Sequence, residues 1–266
     1  MNMIKKLVFC VTALSALPAF AGTQTWDFTS GGSPLSSGNY GNSISMDIDG
    51  ITLTVTGWSD TNGQSNISTP ETIEEAALVY YGDSLGLINR DEDSGTPNHS
   101  IDSYDASNGY GNDYDVLMLT FNSEVTLDGL DIGWAYENYV DNNNRGQSSA
   151  DITTLAYTGT GSDSISGSTW QSISTSAAWS LVQNSSDVDD YNYHALTNKV
   201  KSTTFLIGAY NPLFGSDGWS SLNDGFKLAG ITTKTTEPST DIPEPATLGM
   251  FLLGLVGVAR LRKKVR

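Results

Sequence analysis

Short runs of alternating apolar and polar residues recur through the middle of the 266-residue chain. In the clearest run, Ile51, Leu53 and Val55 alternate with threonines, and this period of two predicts a strand with one buried and one wet face. Residues 115–121 are apolar at both odd and even positions, which predicts a central strand covered on both faces. Further strands are predicted at 25–29, 76–81 (entered from a short helical turn at 71–75), 125–127, 130–134, 151–158, 178–183, 203–210 and 225–232.

The phase of the alternation changes once within 125–134. Apolar residues hold the odd positions at 125 and 127 and the even positions from 130 to 134, so the pattern predicts a tight turn or a bulge at Asp128-Gly129. Trp134 ends the second alternation, and we therefore expect its ring to lie in the core.

The segments between the predicted strands are rich in Gly, Asn, Asp and Ser, and residues 22–242 contain no pattern of a long amphipathic helix. Eight or so short strands separated by such segments predict an all-β ectodomain, a β-sandwich or a jelly roll, over residues 22–232. Residues 233–242 are polar and are predicted to form a tether to the C-terminal segment 243–266.

Residues 1–21 have the parts of a secretory signal peptide. Two lysines precede an apolar run at 7–17, and Ala19 and Ala21 supply the small residues of a cleavage site before Gly22. A true first helix is the alternative, but the apolar run is short and ends at a proline. We therefore predict export of the chain that begins at Gly22.

Cysteine content and charge exclude several classes of function. Cys10 is the only cysteine and lies in the signal peptide, so the exported chain has no disulfide, cysteine-ligated zinc or thiol nucleophile. From Gly22 to Ile242 there are 29 acidic and 6 basic residues, a net charge of −23. Such a domain repels nucleic acid and anionic lipid and attracts divalent cations or cationic groups on polymers. An acidic balance kept for solubility explains the charge equally well.

The C-terminal segment begins with Pro243, Glu244 and Pro245, continues as an apolar run and ends in basic residues. As a helix, residues 246–259 would span roughly 21 Å, less than the hydrocarbon core of about 30 Å. Three interpretations follow: a permanent anchor, a temporary anchor that is removed by processing, and a linker to an amphipathic helix. The run is apolar all round, which argues against the third, and its shortness favours the second. The basic residues, which would hold the helix end at the cytoplasmic face, are Arg260, Arg262, Lys263, Lys264 and Arg266.

The proline-bracketed glutamate, the apolar helix and the basic end, in that order, resemble the PEP-CTERM sorting signal of Gram-negative bacteria that make extracellular polysaccharide. The resemblance implies that exosortase, a membrane enzyme similar to a cysteine transpeptidase, recognises the triplet at 243–245 and that cleavage occurs nearby. It also implies a transiently membrane-anchored precursor. The middle of the chain, at 85–87, 99–102 and 115–121, is loosely similar to ectodomains of exosortase-dependent surface proteins, and that similarity implies no established enzymatic activity.

Acidic loops are the candidate metal sites. Carboxylates close together on a loop can share a calcium ion, and we predict Asp91 and Asp93 as the first such pair, with a solvated acidic loop as the alternative. The string 141–152 begins like an EF-hand loop, but Arg145 and Ile152 occupy ligand positions, which excludes that motif.

One string has the form of a catalytic motif. Residues 82–86 fit Gly-x-Ser-x-Gly and resemble the start of the motif of the GDSL hydrolases, with Ser84 as the nucleophile. The only bases available are His99 and His194, and the spacing 190–194 is one residue longer than the Asp-x-x-His of that family. No helix pattern follows Ser84 either, so we predict no catalytic residues and keep an esterase as a distant alternative.

Aromatic residues beside loops are the remaining candidates for binding. Exposed rings can stack on sugars, whereas buried rings belong to the core. Trp219, in the loop 215–224, is the tryptophan that we expect to be exposed and to bind a ligand. The sequence thus predicts an exosortase-sorted surface or matrix protein with a structural or adhesive role, associated with exopolysaccharide or biofilm. The alternative is a carbohydrate-binding module for the cell's own polysaccharide.

Overall fold

The computed structural model describes residues 22–29, 39–61, 72–81, 83–90, 99–103, 114–137, 148–219 and 223–235. They belong to one compact unit, Gly22–Thr235, and the prediction of an all-β fold is confirmed. No helix among the described residues is both long and apolar enough to cross a membrane. The elements are β1 (Thr23–Asp27), β2 (Ser43–Ile48), β3 (Ile51–Thr61), β4 (Thr72–Tyr80), β5 (Leu85–Ile88), β6 (Ile101–Asp102), β7 (Asp115–Glu137), β8 (Ser149–Tyr157), α1 (Trp170–Thr175), β9 (Trp179–Asp189), β10 (Asn192–Ala195), β11 (Lys201–Ala209), the 3-10 turn η1 (Pro212–Phe214) and β12 (Asp224–Lys234).

Five strands close into a ring through antiparallel pairing, in the order β12, β5, β4, β3, β7 and back to β12. From β7 the sheet continues outward through β11, β8 and β9, and β1 pairs with β12. The short strands β2, β6 and β10 pair with β3, β12 and β7. The described strands therefore form one hydrogen-bonded network that closes on itself, and this closure is the feature that the sandwich or jelly-roll prediction did not contain.

The 23-residue strand β7 connects the parts of this network. Its first half pairs with β3 on one side and with β11 on the other, so residues 115–121 form the central strand that their double-sided apolar pattern predicted. Its second half pairs with β12 and β10. Between the halves, residues 122–124 are exposed.

A β-bulge explains the change of phase at Asp128-Gly129. Thr232 of β12 pairs with Gly129 and Thr233 pairs with Leu127, so Asp128 is an extra residue in β7. The sequence left a turn and a bulge open, and the strand continues through the bulge. Two lysines, Lys199 in the segment between β10 and β11 and Lys234 of β12, form ion pairs with the Asp128 carboxylate at 2.6 and 2.9 Å.

A second bulge in β7 overturns the prediction for Trp134. Lys227 of β12 pairs with Trp134 and Leu228 pairs with Ile132, so Gly133 is the extra residue. The bulge reverses the inward-outward alternation that continues up to Ile132. Ala135 therefore lies in the main core, and Trp134 lies half-buried outside it. The prediction that Trp134 is a core residue is therefore wrong.

The main core is formed by inward-facing residues of most strands. Trp26 and Phe205 each meet Phe121 edge to face, with ring centroids 5.6 and 6.2 Å apart. The indole N–H of Trp26 donates to the buried hydroxyl of Thr233 at 2.9 Å. Thr233 is therefore part of the folded unit, and β12 runs past the start of the predicted tether.

Two further elements differ from the sequence predictions. The helical turn predicted at 71–75 is wrong, because residues 72–75 lie in β4 opposite β3. The six-residue helix α1 was not predicted. It begins at a capping box formed by Thr169 and Ser172, and Trp170 and Ile173 pack its buried side against a smaller apolar cluster.

Candidate functional site

An aromatic group surrounds a lysine on the outside of the ring of strands. We call Tyr81, Trp134, Tyr136 and Lys227 the Lys227 cluster. Lys227 and Trp134 are paired residues of β12 and β7, Tyr136 lies two residues further along β7, and Tyr81 directly follows β4. The Lys227 Nζ atom is 3.7 Å from the centroid of the Tyr81 ring and 4.8 Å from that of Trp134. The Trp134 and Tyr136 rings are nearly parallel, with an interplanar angle of 12° and centroids 5.9 Å apart.

The cluster combines a buried cation with accessible rings. Lys227 is only 5% exposed, whereas Tyr81 is 52% exposed and Trp134 and Tyr136 are half-buried. Burial lowers the pKa of Lys227 to about 8, while the charge of Asp102 opposes that shift. None of the three ion pairs found in the described part of the chain includes Lys227. The faces of Tyr81 and Trp134 therefore replace part of the solvation that the ammonium group loses on burial.

Close backbone packing fixes the position of the cluster. A Cβ atom on Gly133 would lie 2.7 Å from the Cβ atom of Ser84 and 3.3 Å from that of Ala229, so the bulge requires glycine there. A Cβ atom on Gly86 would overlap the carbonyl oxygen of His99. These contacts bring the end of β7, the start of β5 and the segment before β6 together next to Lys227.

Two residues of the GDSL-like string, Ser84 and Gly86, and one of its two candidate bases, His99, lie next to this cluster. Ser84 is 1% exposed, and its hydroxyl makes a long contact of 3.4 Å to the carbonyl oxygen of Tyr81. A strand, β5, follows it, in agreement with the prediction that no helix does. The His99 ring is tilted against Tyr81 at 6.1 Å, and its Nδ1 atom is buried with no hydrogen-bond partner among the described residues. Burial and the charge of Lys227 lower the pKa of His99.

The second histidine lies elsewhere in the sheet. His194 belongs to β10, and its Nε2 atom is 2.9 Å from the hydroxyl oxygen of Ser185. His194 therefore makes a hydrogen bond within the sheet. Burial lowers its pKa.

The predicted ligand and metal residues have different outcomes. Trp219 is half-buried, and its ring is tilted against Tyr210 with centroids 5.1 Å apart. Asp91 and Asp93 lie outside the described residues, and so do Ala19 and Ala21 of the signal-peptide cleavage site. In the ranges that the structure describes, no three His, Cys, Asp or Glu side chains are arranged to hold a metal ion.

A group of carboxylates near the start of β12 was not singled out by the sequence. Asp224 is 1% exposed, and its Oδ1 atom accepts a hydrogen bond of 2.8 Å from the backbone N–H of Asp151. Burial raises the pKa of Asp224 to about 8, against the effect of that hydrogen bond, and the charges of Asp151, Glu137 and Asp187 add to the rise. Burial likewise raises the pKa of Asp151 to about 6. These four residues come from β7, β8, β9 and β12, and only the fold brings them together.

Comparison with known proteins identifies the C-terminal segment. Residues 241–263 match the family model of the PEP-CTERM protein-sorting motif. The chain carries a PEP-CTERM sorting motif. The match confirms the resemblance seen in the sequence, and it includes the Pro-Glu-Pro triplet at 243–245, the apolar run and the basic residues up to Lys263. No curated protein and no solved structure matches the chain.

The motif indicates the cellular destination of the protein. A protein with a PEP-CTERM motif is an export substrate that exosortase processes at the membrane and that reaches the cell surface. The motif covers 23 residues outside the described part of the chain. The compact unit Gly22–Thr235, which contains the Lys227 cluster and the buried carboxylates, precedes this motif in the chain.

Proposed function

We propose that this protein is a structural or adhesive component of the surface or polysaccharide matrix of a Gram-negative bacterium. The observation that carries the proposal is the PEP-CTERM motif at 241–263. In this proposal, residues 1–21 direct export and are removed. The apolar helix holds the precursor in the inner membrane until exosortase cleaves near the triplet at 243–245 and releases the folded unit to the outside.

The net charge of the exported chain is consistent with a location at the cell surface or in the polysaccharide matrix. With a net charge of −23 from Gly22 to Ile242, the protein is repelled by nucleic acid and by anionic lipid. The same charge keeps it soluble and favours divalent cations in its surroundings. A structural calcium ion at Asp91 and Asp93 remains a prediction of this account.

A carbohydrate-binding module for the cell's own polysaccharide is the second candidate function. The Lys227 cluster supports it, because accessible aromatic rings held in fixed positions are the side chains that stack on sugars. Both candidates share the same export route. They differ in whether the folded unit recognises a saccharide directly.

The export route is tested by variants of the motif in the producing bacterium. Replacement of Pro243, Glu244 and Pro245 by alanine removes the triplet and leaves the apolar helix and basic end intact. The matched control replaces Glu237 and Pro238, a Glu-Pro pair outside the matched residues, by alanine. Cell fractionation, combined with protease accessibility on intact cells, measures the destination of each protein.

We expect the triplet variant to stay in the membrane fraction at the length of the precursor. The control variant and the wild-type protein should appear on the cell surface in equal amounts. Equal surface display of the triplet variant and the control would contradict the proposal, and so would unchanged display after deletion of residues 243–266.

A further inference from the structure

We propose that the Lys227 cluster is a binding site for the pyranose rings of an uncharged polysaccharide. In this proposal, the faces of Tyr81 and Trp134 that are turned away from the ammonium group of Lys227 stack on the sugar, and Tyr136 extends the aromatic surface along β7. The inference rests on the proposed function, because it names the kind of polymer and the residues through which the surface protein binds its matrix.

Placing Trp134 outside the core costs the protein free energy. An uninterrupted strand would direct Trp134 inward with Ile132, and the burial of so large a ring is favourable. The extra residue Gly133 interrupts the ladder and turns Trp134 to the side of Lys227 instead. Bulges that redirect a side chain are frequent beside functional sites. The bulge thus interrupts the regular strand pairing and prevents burial of the indole, and it places an aromatic ring in the cluster.

The rings already make contacts within the protein when no ligand is present. The ammonium group of Lys227 lies against both Tyr81 and Trp134, and the Tyr136 ring is nearly parallel to that of Trp134. A side chain that is already immobile loses little conformational entropy on binding. The C–H face of a pyranose is apolar and matches an aromatic face, while its hydroxyl groups find hydrogen-bond partners in the hydroxyls of Tyr81 and Tyr136.

The charge of the exported chain disfavours an acidic polymer. The exported chain has a net charge of −23 and repels polyanions at a distance. Lys227 does not offset this repulsion as an open anion site would, because it is 5% exposed, lies against aromatic faces and interacts with the charge of Asp102. A neutral glycan avoids the repulsion and uses the rings. We therefore assign an uncharged polysaccharide and not an acidic one.

The test uses the protein purified from the producing cells, in the processed form that its mass shows. Affinity electrophoresis measures its retardation by four soluble polysaccharides: a β-1,3-glucan, a β-1,4-glucan and a galactomannan, which are neutral, and alginate, which is acidic. The variants are Trp134→Ala, Tyr81→Ala and Trp134→Phe. The controls are Trp219→Ala, which removes another half-buried tryptophan, and Tyr191→Ala, which removes a tyrosine that is 74% exposed on the turn between β9 and β10.

We expect the wild-type protein to bind at least one neutral polymer and not alginate. Trp134→Ala and Tyr81→Ala should each weaken that binding about tenfold, which corresponds to the loss of one stacking contact. Trp134→Phe, which keeps a smaller aromatic face, should bind more weakly than the wild-type protein and more tightly than Trp134→Ala. Both controls should bind like the wild-type protein. Thermal unfolding identifies any variant whose fold is lost. If Trp134→Ala does not fold, the binding of Trp134→Phe and of Tyr81→Ala is compared with that of the wild-type protein instead.

Three results would overturn the inference: no binding to any of the neutral polymers, binding to alginate alone, or unchanged binding by both Trp134→Ala and Tyr81→Ala. Surface display of Trp134→Ala, measured in parallel, separates this inference from the proposed function. Normal display without neutral-glycan binding would contradict the inference and leave sorting intact. Binding by a protein that never reaches the surface would contradict the sorting proposal instead.

Discussion

Single buried carboxylates make the stability of this acidic protein depend on pH in an unusual direction. The pKa of Asp224 is about 8 in the folded protein, against an ordinary value of 3.8, and burial is the main cause. Between these two values the folded chain keeps a proton that the unfolded chain has released. The contribution of Asp224 to stability is therefore fully present below about pH 4 and is lost as the pH rises through about 8.

Asp224→Asn should remove much of this dependence. An amide has the shape of the protonated carboxyl group, and its oxygen can still accept the hydrogen bond from the N–H of Asp151. We expect the variant to unfold at a temperature about 2–4 °C above the wild type at pH 8, which corresponds to about 1 kcal/mol, and at a similar temperature at pH 5. Thermal unfolding followed by circular dichroism measures both.

The matched control is Asp189→Asn, which removes the same charge from an exposed position on β9. It should leave the slope of unfolding temperature against pH unchanged. A wild-type protein that grows steadily more stable from pH 5 to pH 8, or an Asp224→Asn variant with the wild-type slope, would show that Asp224 does not hold its proton in the fold.

At the scale of elements, the bulge at Gly133 is the device that shapes the candidate site. Gly133→Ala would place a Cβ atom 2.7 Å from the Cβ atom of Ser84, and we expect a loss of stability of about 1–3 kcal/mol. Ser84→Gly removes the Cβ atom of Ser84, with which the new Cβ atom would clash. In denaturant unfolding, the double variant should therefore recover part of the loss, with a coupling energy of at least about 0.5 kcal/mol.

Gly161→Ala is the control for this pair, because its nearest neighbour would be the Tyr157 hydroxyl oxygen at 3.7 Å, an ordinary contact. It should change stability by less than about 0.5 kcal/mol. Additive effects of Gly133→Ala and Ser84→Gly would mean that the two residues do not meet and that the bulge has another cause.

An element could be predicted from the sequence where its residues show the expected pattern or a clear break in it. The bulge at Asp128 was visible, because the apolar residues on either side of it hold positions of opposite parity. The bulge at Gly133 was hidden, because Trp134 is apolar enough to continue the pattern although its ring lies outside the core. Strand β2 carries a clear alternation at 44, 46 and 48, and the polar, glycine-rich residues before it obscured that signal.

At the scale of the whole molecule, the sorting signal could be predicted and the candidate site could not. The three parts of the C-terminal motif are contiguous, so the order of residues alone identifies it. The Lys227 cluster joins residues 81, 134, 136 and 227, which meet only because β12 pairs with β7 and closes the ring with β5. Pairings across about a hundred residues leave no local pattern, and the buried carboxylates are dispersed in the same way.

We expect the C-terminal segment to be removed once it has delivered the folded unit. The intact mass of the protein taken from the surface of the producing cells tests this most directly. We predict a mass for a chain that begins at Gly22 and ends before the apolar run at 246–259, together with any group attached at the new end. A surface protein whose mass still includes the basic residues up to Arg266 would contradict the account.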